Sequence, residues 1–307
     1  MTKLKTNLCG MELDNPLVLA SGFWGTSKTL LLKAVENGIG AVTTKSVNTQ
    51  ERKGHNNPVH FDWGGGLINA VGLPGKGSAK TADMILDFKN DDAHVPVIAS
   101  VFGKDAEEFK QVAKDMVNAN SDIIELNMSC PNVASEFGIP FACDIDAASN
   151  IISEVKSVCG SIPVFAKLAP NVPSIALVAK ECVNAGADGI TAINTVPGIV
   201  IDIYSGKPVL TNGAGGLSGK AIKPVAIKAV HDIRKALPDT PIIGTGGVLC
   251  GEDAVEMLMA GASAIGLGSA IYYRGVEAFK IINEEIANFM EQEGYKSLSE
   301  IIGLVHK

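Results

Sequence analysis

One phrase recurs along this 307-residue chain and limits what it can fold into: an amphipathic stretch, a turn of small residues, then a short aliphatic run. It occurs at Asn37-Gly38-Ile39-Gly40 before Ala41–Thr44, and at Asn118-Ala119-Asn120-Ser121 before Asp122–Leu126. It returns at Ala185-Gly186-Ala187-Asp188 before Gly189–Ile193, and at Ala260-Gly261-Ala262-Ser263 before Ala264–Gly268. Gly just past a helix accepts the left-handed conformation, and an uninterrupted apolar run suits a strand buried on both faces. Helix, turn and strand repeated in this order form the pattern of a parallel sheet covered by helices.

Eight such runs are present: Leu17–Ala20, Ala41–Thr44, Val97–Val101, Ile123–Asn127, Val164–Leu168, Gly189–Ile193, Ile242–Gly244 and Ala264–Gly268. Helical patterns separate most of them, near 29–37, 105–119, 146–158, 174–185, 221–236, 252–260 and 276–291. The alternation predicts an α/β fold, a (β/α)8 TIM barrel, with a doubly wound open sheet as the alternative. Pro, Gly and polar residues gather in three long segments, 46–79, 128–145 and 195–219. All three leave the carboxyl ends of strands, where barrel enzymes build their sites. No linker interrupts the pattern, so residues 1–307 read as a single domain.

Composition narrows the class. The 26 Lys and Arg against 33 Asp and Glu give a formal charge of −7, which lacks the basic footprint that nucleic acid demands. No apolar run approaches the ~18 residues of a membrane span, and Met1–Asn7 lacks the apolar segment of a secretory signal. The expectation is a cytoplasmic protein. Its six cysteines form no C-x-x-C pair and its five histidines no H-x-x-x-H pair, so no protein-bound metal is expected. All the cysteines except Cys130 are expected to be free buried thiols.

The residues closing the strands are Ser21, Lys45, Ser100, Asn127, Lys167, Asn194, the pair Gly246-Gly247 and the pair Gly268-Ser269. Any one of them could be satisfied by hydrogen bonds within a loop, but polar side chains are costly to bury unpaired and the set points to a ligand. Glycines after strands seven and eight let backbone N–H groups approach an anion, the usual phosphate position of a barrel, and Gly215–Gly219 could add donors. Gly72–Gly77 looks like a phosphate loop but has Gly77 where Ser or Thr is required. Lys167 suits either a Schiff base or a fixed cation beside a reduced flavin, and spacing does not choose between them. Cys130, three residues past strand four, could act as a base or a nucleophile.

The run Asn127-Met128-Ser129-Cys130-Pro131-Asn132-Val133 resembles the active-site motif of the class 1 dihydroorotate dehydrogenases. The resemblance extends through Asn15–Gly22, Thr44–Ser46, Asn69–Leu73, Ala166–Val172, Ile193–Thr195, Gly215–Ala226 and Gly244–Val248. Pro170-Asn171-Val172 and Ala221-Ile222-Lys223-Pro224 are similar to the NAD-linked B-type, whose catalytic subunit this chain resembles; the A-type reduces fumarate directly. The resemblance implies FMN, one per chain, and oxidation of (S)-dihydroorotate to orotate in de novo pyrimidine biosynthesis. Cys130 is then the base that takes the C5 proton while C6 delivers hydride to the flavin. Lys45, Asn69, Asn127, Asn194 and Thr195 are implied to bind substrate, with Ala70, Val71, Gly72 and Leu73 completing that wall. Ser21, Lys45, Ser46, Ser100, Asn127, Lys167, Ile193, Gly219, Gly246, Gly247, Gly268 and Ser269 are implied to contact FMN.

The same resemblance implies a homodimer joined by an electron-transfer subunit carrying FAD and a two-iron two-sulfur cluster, a heterotetramer in all. Ser100 stands where the B-type usually has Asn, Ala169 replaces a more usual Ser, and 134–140 departs from the common Gly-rich loop. Residues 131–141 are expected to form a mobile lid over the cysteine. A flavin reductase of the dihydropyrimidine dehydrogenase kind, which shares the Cys loop, and a fumarate-linked dihydroorotate dehydrogenase are the nearest alternatives, with a Schiff-base lyase and a non-catalytic phosphate-binding barrel further away.

Overall fold

Each aliphatic run becomes a strand. The computed structural model describes residues 4–91, 94–128 and 145–307. Its strands β1 (Leu17–Leu19), β2 (Ala41–Thr43), β3 (Val97–Val101) and β4 (Ile123–Asn127) pair in parallel and in chain order. They continue through β5 (Val164–Leu168), β6 (Gly189–Ala192), β7 (Ile242–Thr245) and β8 (Ala264–Leu267). Ile265 of β8 then lies opposite Leu17 of β1, which closes the barrel.

Among the described residues, eight helices alternate with the strands: α1 (Lys28–Glu36), α2 (Ser78–Asn90), α3 (Ala106–Asn118), α4 (Ile145–Cys159), α5 (Ile175–Asn184), α6 (Lys223–Ala236), α7 (Gly251–Met259) and α8 (Ala278–Glu293). Helix α3 shows why they form. Asp105 caps it by accepting a hydrogen bond from Glu108 N at 2.9 Å, and Phe109, Val112, Ala113 and Met116 make the stripe that packs on the barrel. The sequence pattern misses α2, whose buried positions are Ser78, Thr81, Ile85 and Phe88; two of these four are polar, so hydrophobic periodicity does not mark the helix.

Side chains alternate across a strand, so residues two apart share a face. Val18, Ala41, Ile98, Ile123, Phe165, Ile243 and Ala264 form one buried cluster with Leu8 and Leu13. The latter two come from an amino-terminal hairpin, Thr6–Leu8 against Met11–Leu13, that plugs this end of the barrel. A Cβ on Gly189 would fall 2.3 Å from the Phe165 ring, so only Gly leaves room for that ring. Two residues further along the same faces stand Thr43, Ser100, Glu125, Lys167, Thr191 and Thr245. The interior is therefore apolar at its amino end and polar beneath its carboxyl mouth.

The structure also explains the small polar residues of the recurring phrase. Asp122 accepts a hydrogen bond from Val97 N at 2.7 Å and pairs with Lys89. Asp188 accepts from Val164 N at 2.7 Å and from Lys156 Nζ at 2.7 Å. Ser263 accepts from Ile242 N and from Arg234. In each case a residue just before one strand satisfies the first N–H of the preceding strand and receives a cation from the helix between earlier strands. Asp188→Ala leaves Val164 N without its acceptor and is expected to lower the unfolding free energy by about 1–3 kcal/mol. Urea unfolding measures it, and an unchanged midpoint would show that water replaces the carboxylate.

Two of the long segments fold together. Val196–Gly198, Gly215–Ser218, Leu67–Asn69 and His60–Asp62 make one antiparallel sheet in that order, so the segment after β2 and the segment after β6 share a structure. A Cβ on Gly216 would lie 2.0 Å from Thr195 Oγ1, so this close approach requires Gly. Among the described residues, no helix is long and apolar enough to cross a membrane.

Candidate active site

The polar end of the barrel opens into a cavity of about 400 Å³. Ser21, Lys45, Ser46, Asn127, Lys167 and Ile193 reach it from the ends of β1, β2, β4, β5 and β6. Gly219, Gly246, Gly247, Gly268 and Ser269 line another part, and Asn194 and Thr195 a third. Asn69, Val71, Gly72 and Leu73 complete the lining from the segment after β2. These residues are far apart in sequence, and the in-order closure of the barrel is what brings them together.

Two of the residues singled out from the sequence sit elsewhere. Ala70 is buried with Ile68 and Leu210 on the far side of the wall, because alternation turns Asn69 and Val71 toward the cavity and Ala70 away. Ser100 is wholly buried inside the barrel and does not line the cavity. Cys130 and the segment 131–141 lie outside the described residues.

The polar side chains form a directed chain of hydrogen bonds. Asn194 Nδ2 donates to Asn127 Oδ1 at 3.4 Å, and Asn127 Nδ2 donates to Ser46 Oγ at 3.0 Å. Ser46 Oγ lies 2.9 Å from Ser100 Oγ, and Ser100 Oγ donates to Glu125 Oε1 at 3.0 Å. A carboxylate only accepts, so the single Ser100 proton goes to Glu125 and Ser46 must be the donor to Ser100. Lys167 Nζ donates to Ser21 Oγ at 2.7 Å and stands 3.6 Å from Glu125 Oε1. The Lys167 and Glu125 side chains are 6% and 3% exposed, so this is a buried ion pair. Lys45 Nζ donates to Gly22 O at 3.2 Å.

Glu125 escapes a reading confined to the residues that close each strand. A usable signal was present: a carboxylate inside the aliphatic run Ile123–Asn127, two positions before Asn127 and thus on the same inward face. Thr191 and Thr245 were also passed over. Their hydroxyl oxygens are buried with no hydrogen-bond partner among the described residues, and Thr245 lines the cavity.

The loop after β7 is held from behind. Gly246 and Gly247 have φ of +131° and +76°, and a Cβ on Gly247 would come within 2.7 Å of the Lys223 backbone N. Lys223 Nζ donates to Asp253 Oδ1 and Glu256 Oε2, both at 2.7 Å, and Asp253 Oδ2 accepts from Leu249 N at 3.0 Å. Hydrogen bonding to Asp253 and Glu256 raises the Lys223 pKa above the ordinary lysine value. Burial pushes the Asp253 carboxyl up, but the bonds from Lys223 and Leu249 outweigh it and leave the pKa below the usual range.

Burial raises the thiol pKa of each described cysteine above the ordinary value. Cys9, Cys159, Cys182 and Cys250 are free, and burial pushes the Cys159 and Cys182 thiols up to about 11 and about 12. Cys9 and Cys250 are only half-buried, so the expectation of burial is met by Cys159 and Cys182 alone of these four. Among the described residues no group of three or more His, Cys, Asp or Glu is placed to hold a metal ion.

Comparison with known proteins decides the family. The model of the dihydroorotate dehydrogenase family matches residues 3–290. The chain belongs to the dihydroorotate dehydrogenase family. Among its dihydroorotate dehydrogenase relatives is the protein of Methanocaldococcus jannaschii, 46% identical over 99% of this chain and 98% of that one. Those of Methanosarcina acetivorans and Pyrococcus abyssi are 45% and 43% identical, each over at least 96% of both chains. All three are named dihydroorotate dehydrogenase B (NAD(+)), catalytic subunit. The barrel and its carboxyl-end cavity are thus those of a dihydroorotate dehydrogenase.

Proposed function

We propose that this chain is the catalytic subunit of an NAD-linked dihydroorotate dehydrogenase, oxidising (S)-dihydroorotate to orotate in pyrimidine biosynthesis with FMN as its prosthetic group. The single observation that carries the reading is the cavity at the carboxyl mouth, where Lys45, Asn127, Lys167 and Asn194 converge from four different strand ends. The near full-length identity to relatives of that name supports it.

The residues fit FMN on three counts. A cavity of about 400 Å³ has the size of a small-molecule site. The loops after β7 and β8 offer a backbone surface at Gly246, Gly247 and Gly268 on which an anion can lie, and Gly246 and Gly247 adopt positive φ. The Thr245 hydroxyl, without a partner among the described residues, and the Lys167 ammonium, which donates to Ser21 and stands 3.6 Å from Glu125, suit a group with polar edges and negative charge.

When bound, FMN supplies the two-electron acceptor. This chain's own residues do the rest. Ser21, Ser46, Lys167, Ile193, Gly219, Gly246, Gly247, Gly268 and Ser269 hold the cofactor. Lys167 places a fixed positive charge where negative charge develops, which favours reduction. Asn69, Asn127, Asn194 and Thr195 hold the ring amides of the substrate, and Lys45 its carboxylate; the directed Asn194–Asn127–Ser46 chain fixes which edge of each amide faces the ligand. Val71, Gly72 and Leu73 shield that ligand from water. Cys130 removes the proton at C5 as hydride leaves C6.

Two partner contacts complete the proposal. An apolar surface formed by Ile199, Ile201, Ile203 and Tyr204, the last two 82% and 95% exposed, supports association with a second copy of the chain. A separate subunit carrying FAD and an iron–sulfur cluster passes the electrons to NAD. The visible spectrum tests the core of this reading. The isolated chain, given FMN, should be yellow, and dihydroorotate should bleach it without oxygen, while NAD is reduced only after the second subunit is added. A colourless protein, or a yellow one indifferent to dihydroorotate, would overturn the reading, and NAD reduction by the single chain would overturn the partner.

A further inference from the structure

Glu125 is the only carboxylate in the polar layer formed by Thr43, Ser100, Lys167, Thr191 and Thr245, among the described residues. Two lines of interaction end on its Oε1. One is the Lys167 ammonium at 3.6 Å, and the other is the chain from Asn194 through Asn127, Ser46 and Ser100, whose last bond is 3.0 Å. Glu125 is buried and does not line the cavity, so it acts on a ligand through its electric field and through the residues it holds, not by contact.

Three physical consequences follow from that position. An acceptor-only terminus polarises every bond in the chain in one direction, so the Asn127 and Asn194 amides cannot flip without breaking a bond at the Ser100 end. A buried carboxylate 3.6 Å from a buried ammonium also offsets part of its charge as felt from the cavity, where little water screens it. Lys167 keeps its hydrogen bond to Ser21 at 2.7 Å, so it stays in place when Glu125 is neutralised and the offset is what changes.

We propose that Glu125 is a positioning residue that sets how much positive charge Lys167 presents to the flavin, and thereby holds the reduction potential of the cofactor down. The inference rests on the FMN reading above and adds to it a residue that touches neither cofactor nor substrate. The side chain of Gln has the same shape without the charge. Glu125→Gln therefore exposes the full Lys167 cation and makes an anionic state of the flavin easier to form.

The test uses the full chain loaded with FMN and inorganic sulfite as probe, because sulfite adds to an oxidised flavin through its sulfur lone pair and gives an anionic adduct that bleaches the yellow band. Glu125→Gln should bind sulfite about tenfold more tightly than the parent, a change equivalent to about 30 mV for a two-electron couple. Glu125→Asp, which keeps the charge, should stay within threefold of the parent, a rescue that a merely structural role does not predict. Sulfite affinity of Glu125→Gln equal to or weaker than the parent's overturns the proposal. If Glu125→Gln does not fold, Lys167→Gln is compared with Lys167→Gln/Glu125→Gln, which buries no uncompensated charge. Tighter sulfite binding by the double variant supports the proposal, and equal or weaker binding overturns it. A parent chain that takes up no FMN is recognised by its lack of colour before any variant is made, and sinks the flavin reading instead.

Discussion

Cys130→Ala is expected to slow reduction of the bound flavin by dihydroorotate by about 10²–10⁴-fold, the contribution of a positioned general base, while FMN content stays the same. The expectation rests on the chemistry of a thiol base three positions after Asn127 in the sequence, and Asn127 lines the cavity. The pH dependence has a definite sign. With a thiolate as the proposed base, the rate should rise with pH and level off above the thiol pKa, near 8.5 for an ordinary cysteine. Cys130→Ser should move that rise to higher pH, since a hydroxyl is a far weaker acid. Stopped-flow flavin reduction at several pH values measures both effects, and an undiminished rate in Cys130→Ala would remove the cysteine from the mechanism.

Lys167→Ala should have the largest effect on stability. Lys167 and Glu125 are both almost wholly buried, and removing one partner leaves the other as an uncompensated charge in a low-dielectric interior, at a cost of about 3–5 kcal/mol. Folding of the FMN-free chain should weaken by about that amount. Lys167→Ala combined with Glu125→Ala should recover part of the loss, because the pair disappears together. The same single substitution removes the fixed cation from the cavity, so FMN binding should also weaken. Urea unfolding of the FMN-free proteins separates the two effects. A loss below 1 kcal/mol would mean that water reaches Glu125 and solvates it.

The barrel was readable in one dimension because its strands are buried on both faces and its turns recur with the same chemistry. Ile123–Asn127 and Val164–Leu168 are strands in the structure with the bounds that their aliphatic runs suggest. Helix α2 was not readable, since Ser78 and Thr81 occupy half of its buried stripe. Nor was the antiparallel sheet at the mouth, in which Gly216 lies opposite Asn69 across 147 residues of chain, a pairing that no local pattern encodes. The residues that close the strands include Lys45, Asn127, Lys167 and Asn194, which line the cavity, and Ser100, which does not because its side chain is spent on Glu125 and Ser46. Ala70, named through the family resemblance, is turned away from the cavity because one step along a strand reverses the side chain.

What the amino-acid order decided alone was the alternation of helix and strand, the closing polar residues and the glycines that free the backbone, because these depend on periodicity and on local conformational preference. What needed the folded molecule was the company each side chain keeps. Lys167 could have been a Schiff-base lysine or a fixed cation, and its 3.6 Å approach to a carboxylate 42 positions away is what marks it as a charge held in place. Electrostatic and hydrogen-bond partnerships fall off within a few ångströms of space and are indifferent to separation along the chain, so only closure of the barrel could reveal that Glu125 stands behind them.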